Sequence, residues 1–319
     1  MRHFISLFDI NQQELESILT IGEQVKNLLR NGSRPAWLSG HVLAMLFEKP
    51  SLRTRVSFET GISHFGGSAM FLGQEVGWQS RESTADFIQV LAQYADFVVC
   101  RSKLHQSVLD LAHYDCVPII NGLTDLSHPC QALADLITMR QVFAELKGKQ
   151  ITFVGDGNNV SRSLALASAM TGVKFRLLGP SQYFMTDDEL QKITDAYPDA
   201  DLQQSDNAAQ ALDGADFVYT DVWTSMGQEA ESEKRRQDFA EFQLNEELLG
   251  LAQPDCRVLH CLPAKRGEEI TDAVMDCSQS MVIEQAGNRL HAQKGLMLWL
   301  ALEHQMLTVK ELNDHGISW

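Results

Sequence analysis

Short apolar runs alternate with amphipathic, helix-like segments along most of this 319-residue chain. Four such runs lie in its first half, at residues 41–47, 68–73, 96–101 and 117–122. A run that is apolar at nearly every position indicates a strand covered on both faces, whereas a half-exposed strand alternates with a period of two. Because parallel strands need crossovers between them, the pattern predicts right-handed β-α-β units and a parallel sheet.

The second half of the chain repeats this pattern. Further apolar runs occur at residues 151–156, 174–180, 216–223, 257–263 and 281–285. Since the chain is about twice as long as a typical single domain, we expect each half to form its own sheet. The predicted fold is therefore α/β, with two doubly wound parallel-sheet domains.

Helical patterns predict how these two domains are joined. Residues 131–146 form a helical run that Gly148 ends, directly before the first apolar run of the second half. Another helix is predicted over residues 290–307, where apolar residues recur at helical spacing. No Pro/Gly-rich linker interrupts the chain, so we expect interdomain helices to connect a domain of residues 1–147 to a domain of residues 148–289.

Composition narrows the classes of function. The formal net charge of −16 disfavours a nucleic-acid partner, because such a partner needs a basic face. No apolar window reaches membrane-spanning length and the first residues resemble neither a signal peptide nor a transit segment, so we expect a cytoplasmic protein without a membrane partner. The six cysteines lack C-x-x-C spacing, which favours reduced thiols over disulfides or a zinc site.

The segment after the first apolar run has the features of an anion site. Pro50 ends the strand, and Ser51 is a favourable N-cap for the next helix. The first N–H groups of a helix have no intrahelical partners and carry the positive end of its dipole, so a phosphate there gains charge-assisted hydrogen bonds, with a bidentate pair from Arg53. The alternative is a capped helix with solvated arginines. Arginines in a first turn oppose the dipole, which favours the anion site.

Motifs spread over nearly the whole chain resemble those of the aspartate and ornithine carbamoyltransferase family. The motifs are SLRTR from Ser51, HPCQALADL from His128, FVGDGNN ending at Asn159, DVWTSMGQE from Asp221, HCLPAKRGEE from His260 and NRLHAQKG from Asn288. The DVWTSMG and HCLP segments resemble the ornithine branch of the family. Several matches in the same order identify the chain as a member far more specifically than one motif alone does.

This resemblance implies a reaction, a set of partners and an assembly. The reaction is transfer of the carbamoyl group from carbamoyl phosphate to the δ-amine of L-ornithine, which gives L-citrulline and phosphate in arginine metabolism and amino-acid biosynthesis. The family needs no metal and no organic cofactor. It also implies a homotrimer or a multiple of trimers with shared active sites, and a C-terminal segment, residues 290–319, that packs back on the first domain.

By the same resemblance, one group of residues binds carbamoyl phosphate. These residues are Ser51, Leu52 through its backbone, Arg53, Thr54, Arg101, His128, Gln131 and Arg289. His128 is expected to donate to the carbonyl oxygen and Gln131 to accept from the carbamoyl nitrogen. Arg101 and Arg289 are expected to reach both the phosphate and the carbonyl oxygen, and with His128 and Cys261 they form the predicted catalytic group.

A second group is implied for ornithine. Its members are Asn159, Asp221, Ser225, Met226, Cys261 and Leu262. The carboxylate of Asp221 pairs with the α-ammonium, and the thiol of Cys261 positions the attacking δ-amine. Most cysteines are buried structural residues, so the prediction for Cys261 depends on its position in the HCLP motif.

The chain departs from the family pattern at two positions. Leu52 stands where the family has Ser or Thr, and Gly287 stands where it usually has Glu. A family loop from a neighbouring subunit corresponds to residues 73–83, with Gln79 and Ser80 as its candidate polar residues. Arg55, in the same motif as Leu52, is predicted to be a structural ion-pair partner outside the site.

Other functions are weighed against this one. Putrescine or an N-acylated ornithine remains the alternative substrate, whereas aspartate needs cationic groups where Asp221 stands. A dinucleotide-binding oxidoreductase is disfavoured, because Val160 replaces the third glycine of the fingerprint. A non-catalytic paralogue is disfavoured because the site residues Arg53, Arg101, His128 and Arg289 are all present.

Overall fold

The computed structural model describes residues 1–78, 80–224 and 229–318. The chain divides into two compact units, one formed by Met1–Ile137 with Asn288–Trp319 and the other by Thr138–Gly287. We call them unit 1 and unit 2. The chain passes from one unit to the other within helices rather than through a linker.

The secondary structure alternates strands with helices. The strands are β1 (Val42–Phe47), β2 (Ser68–Leu72), β3 (Phe97–Arg101), β4 (Ile119–Leu123), β5 (Gln150–Val154), β6 (Lys174–Leu178), β7 (Leu202–Ser205), β8 (Phe217–Thr220) and β9 (Arg257–His260). The α-helices are α1 (Gln12–Arg30), α2 (Leu52–His64), α3 (Thr84–Leu91), α4 (His105–His113), α5 (Pro129–Arg140), α6 (Asn159–Thr171), α7 (Asp187–Ala196), α8 (Ala208–Leu212), α9 (Ser232–Phe239), α10 (Glu246–Leu249), α11 (Asp272–Met275), α12 (Val282–Glu303) and α13 (Val309–Asn313).

Unit 1 is built on a parallel sheet with the order β2-β1-β3-β4. Five of the six residues of β1 are buried, as the continuous apolar run predicts. The chain leaves β1 toward β2 on one side and later adds β3 on the other, so the strand order reverses between β1 and β3. Ligands of open α/β sheets bind at such a reversal, beyond the carboxyl ends of the strands. Here that edge is marked by the paired residues Phe47 and Arg101.

Unit 2 has a parallel sheet with the order β7-β6-β5-β8-β9. Its strand order reverses between β5 and β8, as the order in unit 1 reverses between β1 and β3, so a ligand is expected beyond the carboxyl ends of these strands. The segments after these strands carry Asp156 and Asp221, and Cys261 follows the neighbouring strand β9. The prediction of two parallel-sheet α/β domains is therefore confirmed, with polar residues at the ligand-binding edge of each sheet.

Three local features differ from the sequence-based expectations. The run at residues 281–285 is not a strand, because it opens helix α12: Gln285 N–H donates to Met281 C=O at 2.8 Å. In that run Val282 is buried while Ile283 is 76% exposed, which fits a helical face and not a strand. Strand β7 was missed because its sequence, LQQS, is largely polar. Helix α5 ends at Arg140, earlier than expected.

Helix α12 is 22 residues long and buries an unusual number of polar side chains. Asn288, Arg289, Gln293 and Lys294 are each at most 2% exposed. Burying such groups costs free energy unless they find partners, so their positions point to a specific role for the face that carries them. Among the described helices, none combines the length and apolar character required to cross a bilayer.

Candidate active site

The N-terminus of α2 forms as its sequence predicts. Ser51 is the N-cap residue in extended backbone conformation, and its Oγ accepts from the Thr54 N–H at 3.4 Å. The same hydroxyl lies 3.1 Å from Thr54 Oγ1. The cap holds the side chain of Thr54, which is only 1% exposed, at the carboxyl end of the sheet in unit 1.

The hydroxyl of Thr54 is the point where distant segments of unit 1 meet. Arg289 Nη2, from α12, lies 3.2 Å from Thr54 Oγ1. Arg101 Nη1, from the end of β3, approaches the same oxygen at 3.5 Å, the outer limit for a hydrogen bond. Two guanidinium groups therefore converge on one hydroxyl at the start of a helix, where the dipole also favours an anion.

Arg289 extends this cluster to α5. Its Nη1 donates to Gln131 Oε1 at 2.7 Å and lies 3.2 Å from His128 Nε2. Gln131 Nε2 in turn donates to Asp135 Oδ1 at 2.8 Å. Because a carboxylate accepts and does not donate, Asp135 orients the amide so that its oxygen faces the arginine.

His128 is kept neutral by its surroundings. Burial lowers the pKa of His128 well below its ordinary value, and the nearby charges of Arg289, Arg101 and Arg53 lower it further. Since a guanidinium can only donate, the Nε2 atom of the neutral ring accepts from Arg289 in this arrangement. The ring therefore adds a polar partner to the cluster without adding a fourth positive charge.

The structure brings most of the predicted carbamoyl phosphate residues together. Ser51, Thr54, Arg101, His128, Gln131 and Arg289 are linked by the contacts above, and Arg53 is close enough to affect the pKa of His128. The side chain of Leu52, by contrast, is exposed. Arg55 pairs with Glu59 at 3.3 Å, as expected for a structural residue, and lies 4.1 Å above the ring of Phe71.

Unit 2 carries a second cluster around Asp221. Its Oδ1 accepts from the backbone N–H of Val222 at 2.8 Å and lies 2.9 Å from the Sγ of Cys261. Its Oδ2 accepts from Asn158 Nδ2 at 3.2 Å. Three segments, after β5, β8 and β9, thus fix the orientation of one carboxylate at the edge of the sheet.

Asn158 was missed by sequence reasoning, which named Asn159. The structure places Asn158 at the N-cap of α6, where its Oδ1 accepts from the N–H groups of Val160 and Ser161 and its amide reaches Asp221. Asn159 is the first residue of the helix itself. The signal in the sequence was the N-cap preference for Asn, which both neighbouring asparagines satisfy equally.

The backbone beside Cys261 is held by a buried pair. Leu262 has a φ of 56°, a left-handed conformation that is costly for a leucine. Its N–H donates to His260 Nδ1 at 2.8 Å, so the proton of the neutral ring lies on Nε2, which is 3.0 Å from Glu269 Oε1. The side chains of His260 and Glu269 are both fully buried. This pair, which sequence reasoning did not name, fixes the chain direction at the thiol.

Asp221, His260 and Cys261 also bring three potential metal ligands within 4.8 Å of one another. Both ring nitrogens of His260 are engaged, one with Leu262 and the other with Glu269. The cluster therefore offers a cation at most two of these three ligand atoms. Its chemistry fits an ammonium ion better, because the carboxylate and thiol are placed to accept or donate hydrogen bonds.

A buried ion pair lies next to this cluster. Arg235 Nη2 donates to Asp156 Oδ2, and Arg235 Nε donates to the carbonyl oxygen of Trp223. Burial raises the pKa of Asp156 to about 6, against the lowering effect of Arg235, and the negative charge of Asp221 raises it further. Sequence reasoning missed both Asp156 and Arg235.

Some predicted residues are not placed by these contacts. Ser225, Met226 and Gln79 lie outside the described residues. Ser80 Oγ donates to the carbonyl of Gly77 at 3.0 Å, within its own loop. At Gly287 a Cβ atom would meet nothing within 4 Å, so the larger residue usual in the family has room at its Cβ.

Two models of known protein families match the chain, one in its first part and one in its second part. A family model described as the carbamoyl-P binding domain of aspartate/ornithine carbamoyltransferase matches residues 2–141. A model described as the Asp/Orn binding domain of aspartate/ornithine carbamoyltransferase matches residues 147–300. Together these models span almost the whole chain.

Individual relatives agree with the family models. The ornithine carbamoyltransferase of Anoxybacillus flavithermus is 44% identical over 302 residues, covering 94% of this chain and 96% of that protein. The solved ornithine carbamoyltransferase of Pyrococcus furiosus has a TM-score of 0.90 at 42% identity and covers 93% of this chain and 96% of its own. A solved acetylornithine transcarbamylase has a TM-score of 0.84 at 29% identity, covering 93% of this chain and 98% of its own.

Proposed function

We propose that this chain, which belongs to the aspartate/ornithine carbamoyltransferase family, moves the carbamoyl group of carbamoyl phosphate to the δ-amine of L-ornithine. The products are L-citrulline and phosphate. The observation that carries the proposal is the convergence of Arg101 and Arg289 on Thr54, beside the neutral His128 and the oriented amide of Gln131. A functional precedent is the ornithine carbamoyltransferase of Anoxybacillus flavithermus, which is 44% identical over most of the chain.

Unit 1 binds carbamoyl phosphate in this proposal. The phosphate lies at the start of α2 against Ser51, Arg53, Thr54 and the backbone of Leu52. Arg101 and Arg289 exchange the Thr54 hydroxyl for phosphate and carbonyl oxygens of the substrate, an exchange that replaces neutral acceptors by charged ones. The amide oxygen of Gln131, oriented by Asp135, accepts from the carbamoyl nitrogen, and His128 contacts the carbonyl oxygen.

Unit 2 binds ornithine. The carboxylate of Asp221 receives the α-ammonium, and the α-carboxylate is assigned to Asn159 and the Ser225–Met226 segment of the motif. Cys261 and Leu262 position the δ-nitrogen. The contact between the Cys261 thiol and Asp221 supports this assignment, because it holds the thiol and the carboxylate in one small area.

The chemistry needs one bond to form and one to break. The neutral δ-amine attacks the carbonyl carbon, forming the new C–N bond, and the negative charge that develops on the carbonyl oxygen is stabilised by Thr54, Arg101, His128 and Arg289. The bond from carbon to the bridging oxygen then breaks, and phosphate leaves with the proton released by the amine. Preorganised donors at the developing charge supply the main acceleration in reactions of this kind.

The acidic character of the second cluster supports ornithine over the related substrates. An N-acylated ornithine has no α-ammonium, so it leaves the carboxylate of Asp221 without its ionic partner. Putrescine has no α-carboxylate, so it leaves the donors assigned to that group unused.

We also propose a homotrimer, or a multiple of trimers, in the cytoplasm. Leu52 is 74% exposed and Val56 is 48% exposed, one turn apart on α2 and next to the anion cluster. An apolar pair at this position suits contact with a neighbouring copy, whose residues 73–83 reach the site in the family pattern. Light scattering after size exclusion tests it: a mass near three or six protomers is expected, and a monomer contradicts it.

A colorimetric citrulline assay tests the reaction. The protein is incubated with carbamoyl phosphate and either L-ornithine, N-acetylornithine, putrescine or L-aspartate. We expect citrulline from ornithine and slower or no turnover of the other three amines. No product from ornithine, with product from any other amine, would assign the chain to another member of the family.

A further inference from the structure

Helix α9 buries one charged residue for which the reaction described above has no use. The helix reads SEKRRQDF, and only Arg235 and Phe239 among its residues are buried. The side chain of Arg235 is 3% exposed, while that of its neighbour Arg236 is 46% exposed. Taking a guanidinium out of water is unfavourable unless its N–H groups find acceptors, so the contacts of Arg235 should indicate why it is buried.

Arg235 uses both ends of its guanidinium. Nη2 donates to Asp156, in the segment after β5, and Nε donates to the backbone carbonyl of Trp223, in the segment after β8. The flat face of the group lies over two rings, 4.6 Å from the centre of Tyr183 and 5.4 Å from that of Phe239. The rings fix the plane of the fork and the two acceptors fix its direction.

The residues held by Arg235 are close in sequence to the second cluster. Trp223 follows Asp221 by two residues, and Asp156 precedes Asn158 by two. Asn158 itself donates to Asp221 at 3.2 Å. Arg235 and Asn158 therefore form two parallel links between the same two segments, one carrying charge and one neutral.

We propose that Arg235 is a positioning residue for the amino-acid substrate, acting through Asp156 and Trp223 to hold the carboxylate of Asp221 in place. The inference rests on the proposed function, since it deepens the role of the same cluster. It also has an electrostatic part. Asp156 and Asp221 carry two negative charges in a buried region, and the guanidinium neutralises one of them. Pairing Asp156 with the guanidinium leaves the carboxylate of Asp221 to receive the ammonium group.

Three variants test the inference in the full-length enzyme. R235K keeps the charge but has a single nitrogen in place of the fork, so it cannot donate to Asp156 and to the Trp223 carbonyl in the same geometry. R235Q removes the charge. The double variant D156N/R235Q removes both charges of the buried pair, so no unpaired ion is left in the interior. It still lacks the hydrogen bond from Arg235 to the carbonyl of Trp223. R236K, on the exposed side of the same helix, is the matched control.

We expect each of the three variants to raise the KM for ornithine by about tenfold or more, the range for losing a hydrogen bond to a charged group. The KM for carbamoyl phosphate should stay within about twofold, because its residues lie in unit 1 and Arg235 lies in unit 2. R236K should match the parent for both substrates. The double variant should also keep the thermal midpoint of the parent more closely than R235Q does.

Two results would overturn the inference. One is an ornithine KM in R235K and in the double variant that is unchanged from the parent, which would make the ion pair purely structural. The other is a parallel loss of affinity for both substrates. These outcomes differ from failure of the proposed function, because in that case the parent enzyme itself forms no citrulline.

Discussion

The guanidinium of Arg289 donates to the side-chain oxygen of Gln131 across 2.7 Å, although 158 residues separate them in the chain. The contact joins α12 to α5 within unit 1 and fixes which end of the Gln131 amide faces the anion cluster. The opposite end donates to Asp135. A residue thus acquires a defined donor and acceptor direction from two partners, one nearby in sequence and one remote.

Replacing Arg289 with lysine should abolish most turnover. Lysine keeps a positive charge but cannot contact Thr54, His128 and Gln131 together, as the guanidinium does. We expect kcat to fall on the order of a hundredfold or more, as for loss of one preorganised donor at a developing oxyanion. Citrulline formation at saturating substrates measures it. R55K is the control and should keep parental activity, because Arg55 pairs with Glu59 outside the anion cluster.

The role of the Thr54 hydroxyl can be tested separately from the role of the side chain's volume. T54V preserves the volume and removes the hydroxyl, whereas T54S removes the methyl group and keeps the hydroxyl. We expect T54V to raise the KM for carbamoyl phosphate by roughly tenfold or more, since it loses hydrogen bonds to charged groups, and T54S to stay near the parent. Equal KM values for the two variants would show that Thr54 acts by packing alone.

Replacing Cys261 with alanine should affect ornithine and spare carbamoyl phosphate. The thiol lies 2.9 Å from Asp221, so its loss removes one partner of the carboxylate and the group assigned to the δ-nitrogen. We expect a higher KM for ornithine together with a lower kcat, by about tenfold or more in kcat/KM. C116A removes another partly exposed thiol, in unit 1, and serves as the control. Full activity of C261A would show that the thiol has no role in the mechanism.

The low pKa of His128 predicts a dependence of stability on pH. The folded protein keeps this ring neutral, while in the unfolded chain it takes up a proton near its ordinary value of 6.5. The unfolded state then binds more protons, so the free energy of unfolding decreases as pH falls below that value, with a slope from this group that approaches about 1.4 kcal/mol per pH unit until the folded pKa is reached.

Urea denaturation of the parent and of H128Q checks this sign. Glutamine does not titrate, so the difference between the two free energies of unfolding should change by about 1 kcal/mol when the pH is lowered from 6.5 to 5.5, in the direction that favours H128Q. A difference that does not vary with pH would mean that the pKa of His128 in the folded protein is not lowered from its value in the unfolded chain.

Much of the fold follows from local sequence. Strand β1 and the N-cap at Ser51 form where the apolar run and the capping preference predict them. Short mixed segments are less certain, because a few apolar residues fit a buried strand or one face of a helix equally well. That ambiguity explains the wrong strand at residues 281–285, and the polar composition of β7 explains why that strand was missed.

The candidate site was predicted more completely in unit 1 than in unit 2. Family motifs named Thr54, Arg101 and Arg289, which the structure brings into contact. They did not name Asn158 or Arg235, because a choice between adjacent asparagines, or among the charged residues of an exposed helix, depends on which side chain faces inward. That orientation is set by the packing of the helix and not by residue type.

The sequence by itself determined the alternation of strands and helices and the helix start that favours an anion, since these depend on interactions between residues a few positions apart. The alternation in turn predicted the two parallel sheets, because parallel strands need crossovers between them. Only the tertiary structure decided that Arg289 meets Thr54 across 235 residues, that His128 is held neutral and that Arg235 is buried against Asp156. Such contacts arise when packing excludes water, because a buried charge then persists only beside the partners that the fold brings to it.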